Sequence, residues 1–209
     1  MQLSLHIFAD RLLSLRLYGF KLFAFFLFLW LCSSCTTVSV SDLPPEQGIE
    51  RIRKKHDNKE WQEVISEVDL FKTRYPYSAF TVEAELLQAD SYFMRESYSE
   101  AVASYEDFLR KNPHNENVSI ALFRIARSYD LQSPLASDRE QIKTYRAVEK
   151  YKQFIELFPH SDLLKFAIER IHILKEKLLD HNLFVTHFYL KKQKYSAALL
   201  RAEKVLHQF

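Results

Sequence analysis

Glycine is nearly absent from this chain of 209 residues, which contains only Gly19 and Gly48. Tight β-hairpins, dinucleotide-binding folds and phosphate-binding loops all depend on glycine, so these classes are excluded first. Proline is also scarce, with six residues. Because hydrophobic residues make up 47% and charged residues 27% of the chain, its composition is not that of a disordered protein. A largely helical protein is therefore expected.

Long hydrophobic runs are limited to residues 22–31, LFAFFLFLWL. This run is too short for a transmembrane helix, which needs roughly 20 apolar residues. Basic residues precede it and small residues follow it, which is the order of a secretory signal. An uncleaved membrane anchor is the alternative. Residues 35–209 contain equal numbers of basic and acidic side chains, so the pI near 8.4 reflects the leader and does not indicate nucleic-acid binding.

Cysteine occurs only at Cys32 and Cys35, directly after the apolar run. A redox pair would follow a strand, and a zinc site would need further ligands at suitable spacing; the sequence has neither pattern. Two serines precede Cys35, as lipoprotein processing requires, whereas Trp30 and Leu31 precede Cys32. We therefore predict a lipoprotein signal peptide over residues 1–34 and a covalent lipid on Cys35, with no other cofactor. Several acyl chains would give stable anchoring. A thiol enzyme that uses both cysteines is the alternative.

A helical pattern recurs four times in the body of the chain. Segments that start at Trp61, Tyr98, Thr144 and Tyr195 share the spacing 3, 1, 3, 3 between inward positions, which places those positions on one face of a helix. Proline follows the first three segments at the same offset, as Pro76, Pro113 and Pro159, and stops a helix there. Each of the second and third segments has a partner helix upstream that contains small residues. This pattern resembles the tetratricopeptide repeat, although an ordinary helical bundle would also be periodic.

These observations predict an all-α, tetratricopeptide-repeat-like helical solenoid of about four helix pairs. We expect residues 35–46 to hold the lipidated cysteine and a flexible tether. Residues 47–161 form an N-terminal repeat lobe of three helix pairs, with a polar insert at 131–141. Residues 162–209 form a long connecting helix, either continuous or as two collinear helices, and a C-terminal repeat.

Catalytic chemistry is not indicated by the sequence. None of the seven histidines after residue 35 has zinc-ligand spacing, and no nucleophile triad is recognisable. His114 and His160 follow the turn prolines and are read as surface residues. The basic stretch at residues 51–55 is either a solvated helix face or a patch for an anionic partner. We therefore expect a protein that is not an enzyme.

The order of leader, cysteine, tether and repeats resembles the BamD family, the outer-membrane lipoproteins of the β-barrel assembly machinery (BAM complex) of diderm bacteria. Arg74-Tyr75-Pro76 matches the Arg-Tyr-Pro at the end of that family's first repeat. Four further segments resemble family motifs in the same order: Ser137-Asp138-Arg139-Glu140, Phe158-Pro159-His160-Ser161, Leu174-Lys175-Glu176-Lys177-Leu178 and Arg201-Ala202-Glu203. The leader is longer than usual, and a fuller member has a fifth helix pair.

The resemblance implies a lipid-anchored scaffold on the periplasmic face of the outer membrane. It implies that N-terminal repeats bind unfolded outer-membrane proteins, with Tyr75 and Arg74 as candidate contacts. It also implies that C-terminal repeats bind the POTRA region of a BamA-like barrel protein, with Arg201 and Glu203 as candidates. Other BAM lipoproteins are further candidate partners, although the missing fifth pair puts their contacts in doubt. Tyr75 could instead cap the repeat's own core, and Arg201 could be a solvated cation. The alternative function is that of another periplasmic repeat lipoprotein, of the Tol–Pal or cell-division coordinator type.

Overall fold

The structure is a computed structural model that describes residues 39–208, with side chains up to residue 206. The predicted leader and Cys35 lie outside this part. The described residues contain eight α-helices, a short 3₁₀ helix and no strand. The predicted all-α, tetratricopeptide-like fold is confirmed.

The helices form four consecutive pairs. After a 3₁₀ helix at Val40–Asp42, they are α1 (Pro45–Asp57), α2 (Trp61–Arg74), α3 (Thr81–Met94), α4 (Tyr98–Lys111), α5 (Val118–Leu131), α6 (Ile142–Leu157), α7 (Leu164–Lys191) and α8 (Tyr195–Gln208). Each helix packs on the next, and the first helices of successive pairs also adjoin, α1 on α3 and α3 on α5. These first helices therefore share one face of the solenoid.

The turns within three of the pairs have the same backbone. Lys59, Glu96 and Gln193 have φ values of 64°, 63° and 57°, in the left-handed region that glycine usually occupies after a helix. In each turn this residue and the next donate amide hydrogen bonds back to the preceding helix, as from Lys59 to the His56 carbonyl at 2.9 Å and from Glu60 to the Lys55 carbonyl at 3.0 Å. No glycine marks these turns in the sequence, so their left-handed residues had no local signal.

The turns between pairs are also repeated, at each of the predicted prolines. The amides of Ser78, Asn115 and Ser161 each donate to the carbonyl three residues earlier, at 3.1 Å. The same three side chains accept a hydrogen bond from the amide two residues later, at 2.9 to 3.2 Å. The common proline offset therefore corresponds to one turn geometry used three times.

Small residues lie where helices of neighbouring pairs approach each other. Five alanines are fully buried in α3, α4 and α5: Ala84, Ala89, Ala101, Ala121 and Ala126. The gaps beside them are filled by large side chains that are also inaccessible, including Tyr105, Phe108, Tyr151 and Phe154. Each such apolar side chain contributes roughly 1.5–3 kcal/mol when it is fully buried. This burial arises both within the helix pairs and between one pair and the next.

The chain is already packed on the repeats before α1 begins. Val40 is 1% exposed and belongs to the first core cluster with Ile49, Val68 and Phe71. The Leu43 carbonyl accepts a hydrogen bond from the Tyr75 hydroxyl at 2.6 Å. The structure therefore differs from the flexible tether expected up to residue 46, and α1 starts two residues earlier than expected, at Pro45.

The long helix α7 is continuous over 28 residues, from Leu164 to Lys191. The insert that joins α5 to α6 is held against it. Lys177 Nζ donates to Ser133 Oγ at 2.8 Å, and His181 Nδ1 lies 2.7 Å from the Ser137 carbonyl oxygen. The insert is thus bonded to a helix more than 40 residues away in sequence.

Asp130 joins three helices through its buried carboxylate, which lies at the end of α5 and is 4% exposed. Arg170 of α7 donates two hydrogen bonds to it at 2.8 Å, and Arg127 donates a third at 2.8 Å. The Tyr151 hydroxyl of α6 donates at 3.1 Å. Burial alone would raise the pKa of Asp130, but the bonds and charges of Arg170 and Arg127 outweigh it and lower the pKa.

Replacement of Asp130 by asparagine should lower the free energy of unfolding by about 2–3 kcal/mol, because two arginines lose a buried carboxylate partner. The exposed Asp138→Asn variant is the matched control and should change stability by less than about 0.5 kcal/mol. Urea unfolding followed by circular dichroism measures both. Equal effects of the two substitutions would contradict the role of Asp130.

The same comparison has a defined pH dependence. The folded-state pKa of Asp130 lies below its unfolded value of about 3.9, so its contribution is fully present above that value and is lost as the pH falls through the folded-state pKa. The stability difference between the unmodified protein and Asp130→Asn should therefore shrink on acidification below about pH 5. If the stability difference between the two proteins stays constant at every acidic pH at which both remain folded, the lowered pKa of Asp130 is contradicted.

Candidate functional site

An open slot lies between the turns that end the first and second pairs. Its volume is about 380 Å³, within the range of small-ligand and peptide side-chain pockets. Its apolar wall consists of Ala79, Val82, Leu86 and Phe108, and its polar rim of Glu83, Asn115, Glu116 and Asn117. We refer to these eight residues as the slot.

The repeat geometry creates the slot. Val82 and Leu86 are four residues apart on α3 and so lie on one face of that helix. The turn at residues 112–117 brings Asn115 and Asn117 opposite this face. Sequence reasoning missed the slot because it assigned α3 to packing only. Val82 and Leu86 also pack against the core cluster of the partner helix, so no local pattern separated them from ordinary packing positions.

Charge at the slot rim is partly compensated. Glu83 accepts two hydrogen bonds from Arg53 of α1, at 2.5 and 2.6 Å. The hydrogen bond to Glu83 raises the pKa of Arg53, and a hydrogen bond to Glu50 raises it further by a smaller amount. The exposed Glu116 makes no ion pair with the described residues. The slot therefore has an apolar wall and a larger polar rim, which carries the uncompensated carboxylate of Glu116.

The predicted contacts are adjacent: Arg74 is the last residue of α2, and Tyr75 begins the first inter-pair turn, which also carries Ala79 of the slot. The Tyr75 ring is partly buried against Phe71, with ring centroids 5.4 Å apart. Its hydroxyl is bonded to Leu43, so only the ring remains available to a ligand. Arg74 is exposed, with its guanidinium 5.7 Å from the Tyr75 ring centroid. Tyr75 thus has a packing role, and neither residue lines the slot itself.

The predicted contacts Arg201 and Glu203 lie on α8, where they line an open cavity of about 440 Å³ with Leu200 and Lys204. Among the described side chains, neither Arg201 nor Glu203 has an oppositely charged group within 4.0 Å. Lys204 lies over the Tyr145 ring at 5.3 Å and so joins α8 to α6. Leu199, Leu200 and Leu206 are largely exposed on the same helix. This surface combines unpaired charges with apolar side chains.

The basic stretch at residues 51–55 is largely neutralised by the protein's own carboxylates. Arg51 pairs with Glu67 at 2.7 Å, and Lys55 lies 3.4 Å from Glu60. Arg53 is bonded to Glu83, as described above. These pairs favour the helix-face interpretation over a patch for an anionic partner.

Within residues 39–208, no helix combines the length and the apolar character that a membrane span requires. Even α7, at 28 residues, does not meet this description.

The chain has relatives of known name in several bacteria. The chain is similar to the "Outer membrane protein assembly factor BamD" of Vibrio cholerae, with 25% identity over 183 residues that cover 83% of this chain and 76% of the relative. The protein of the same name from Rickettsia prowazekii is 29% identical over 158 residues, 73% of this chain and 61% of the relative. The Neisseria gonorrhoeae protein is 23% identical over 191 residues, 83% of this chain and 72% of the relative.

A family model, YfiO, described as "Outer membrane lipoprotein", matches residues 42–209. The match begins within the 3₁₀ helix and includes all four helix pairs, so it contains both the slot and the α8 surface. The chain belongs to the YfiO family of outer membrane lipoproteins, whose curated relatives are the BamD proteins.

Proposed function

We propose that this protein is a lipid-anchored, non-enzymatic assembly factor for outer-membrane β-barrel proteins. The observation that carries the proposal is the family match across residues 42–209, because the relatives are named for outer membrane protein assembly. The helix pairs offer two separate binding surfaces, the slot at the first two pairs and the α8 surface at the fourth. Such a pair of surfaces suits a scaffold that brings a substrate to a partner.

The slot is the proposed site for an extended segment of an unfolded outer-membrane protein. Val82 and Leu86, which are only partly buried, would contact an apolar side chain of the segment. The side-chain amides of Asn115 and Asn117 can donate to and accept from a peptide backbone. Tyr75 lies in the same turn as Ala79, and Arg74 directly precedes it at the end of α2; both are the proposed contacts for residues that extend beyond the slot.

The α8 surface is the proposed site for a BamA-like barrel protein, through its POTRA region. Arg201 presents a guanidinium suited to a bidentate bond with a partner carboxylate, and Glu203 can pair with a partner cation. The exposed leucines beside them would be buried in the complex. Other BAM lipoproteins are proposed as further partners.

Cys35 is the proposed attachment point for the lipid, on the periplasmic face of the outer membrane. The lipoprotein description of the family supports an anchor. In a Cys35→Ser variant we expect loss of lipid labelling, whereas a Cys32→Ser variant should retain it.

Blocking the slot should weaken substrate binding. Ala79 is exposed at the slot wall, and Ala79→Trp would fill the slot without entering the core. Binding of a fluorescent peptide from an outer-membrane β-barrel should weaken about tenfold or more, equivalent to 1.4 kcal/mol. Asp162→Trp, at the same place in the third inter-pair turn, is the matched control and should bind normally. Equal affinities for the two variants would exclude the slot as the substrate site.

Charge reversal on α8 should release the partner. Arg201→Glu should reduce the amount of BamA-like protein that copurifies from membranes by about tenfold, because an unpaired buried charge at an interface costs at least 1.4 kcal/mol. Lys152→Glu, on the exposed face of α6, is the control for the change in net charge. Mass spectrometry of the copurified proteins also tests the function as a whole. Recovery of peptidoglycan-linked proteins of the Tol–Pal type, with no barrel protein, would contradict the proposal.

A further inference from the structure

The chain enters the repeats at a fixed place, close to the proposed lipid. Val40 is buried in the first core cluster, and Cys35 lies five residues before it. Because an extended chain spans at most about 3.6 Å per residue, the Cα atoms of Cys35 and Val40 are no more than about 18 Å apart. If Cys35 carries the lipid, as proposed above, Val40 must lie within about that distance of the lipid attachment point, and the start of the first helix pair lies beside it.

The first inter-pair turn lies beside this entry point. Tyr75 belongs to that turn, and its hydroxyl is bonded to the Leu43 carbonyl at 2.6 Å, three residues after Val40. The turn is therefore part of the protein surface nearest to the anchored end. The other two inter-pair turns follow α4 and α6, further along the array.

Tyr77 distinguishes this turn from its two equivalents. It follows Pro76 and is 99% exposed, so its ring contacts almost nothing among the described residues. The same position holds His114 in the second turn and His160 in the third, both exposed. Tyrosine has an apolar ring and a polar tip, and it is enriched where a membrane meets water.

We propose that Tyr77 inserts its ring into the phospholipid headgroup layer of the leaflet that holds the Cys35 lipid. The contact joins the first helix pair to the membrane at a second point besides the lipid, and so restricts the orientation of the repeats. Ala79 of the slot lies two residues away, so the same contact holds the slot close to the membrane surface.

Charge is not the source of this contact. Asp42 and Glu46 are exposed beside the entry point and repel an anionic surface, which opposes whatever attraction Arg74 provides. The interaction therefore depends on burial of the tyrosine ring at the interface and should change little with salt.

Spin-label accessibility in vesicles tests the proposal. The full-length protein, acylated in cells and purified from membranes, is prepared with Tyr77→Cys or, as the matched control, His160→Cys. Intact mass confirms the lipid on Cys35, so the introduced cysteine is the only free thiol once the leader is removed. Each protein is labelled with a nitroxide and reconstituted into vesicles of phosphatidylethanolamine and phosphatidylglycerol. We expect the label at residue 77 to be several-fold less accessible to a water-soluble nickel relaxant than the label at residue 160, at both low and high sodium chloride.

Three outcomes would overturn the inference, and they are distinguishable. Equal accessibility of the two labels on a lipidated protein removes the membrane contact and leaves the proposed function intact. Protection of residue 77 that increases with the ratio of protein to lipid in the vesicles means that a second protein copy covers Tyr77. Purified protein without lipid on Cys35 removes both the anchor and the contact.

Discussion

The carboxylate of Asp130 is the interaction on which the arrangement of the later helices depends. It is buried where α5, α6 and α7 meet, and each of these helices supplies one of its hydrogen-bond donors. A buried carboxylate without partners costs several kcal/mol, so the three helices remain stable together only in the arrangement that satisfies it. Because α7 packs against α8, the position of Arg201 and Glu203 relative to the first three pairs depends on this group, together with the contact between Lys204 and Tyr145.

The packing of the earlier helices, α1 to α5, depends instead on turns and small buried residues that recur along the chain. Proline starts each inter-pair turn, a serine or asparagine closes it, and buried alanines let neighbouring helices approach. These devices act within a few residues, so the sequence predicts them well. The proline offsets and the inward positions of four helices predicted the pairs and the confirmed fold.

Other features depend on contacts between distant residues and had no local signal. Asp130 and Arg170 are 40 residues apart, and no sequence pattern indicated that they meet. The left-handed turn residues Lys59, Glu96 and Gln193 carry side chains where glycine would have marked the turn. Residues 40–46 have the polar, proline-bearing composition of a tether, but burial of Val40 and the bond between Leu43 and Tyr75 attach them to the first pair. The proposed contacts Tyr75, Arg74, Arg201 and Glu203 came from family resemblance, and the structure added the slot beside the first two.

Together these features describe a continuous scaffold with a short connection to its proposed lipid, a slot near that end and a charged, apolar surface on its last helix. The central claim is that the hydrogen bonds to Asp130 hold α7 against α5 and α6, and that α8 is held in place through α7. Hydrogen–deuterium exchange of the full-length protein, with and without Asp130→Asn, tests it most directly. The account predicts faster amide exchange throughout α7 and α8 in the variant, with α1 to α4 unchanged. An increase confined to the residues next to position 130 would contradict it.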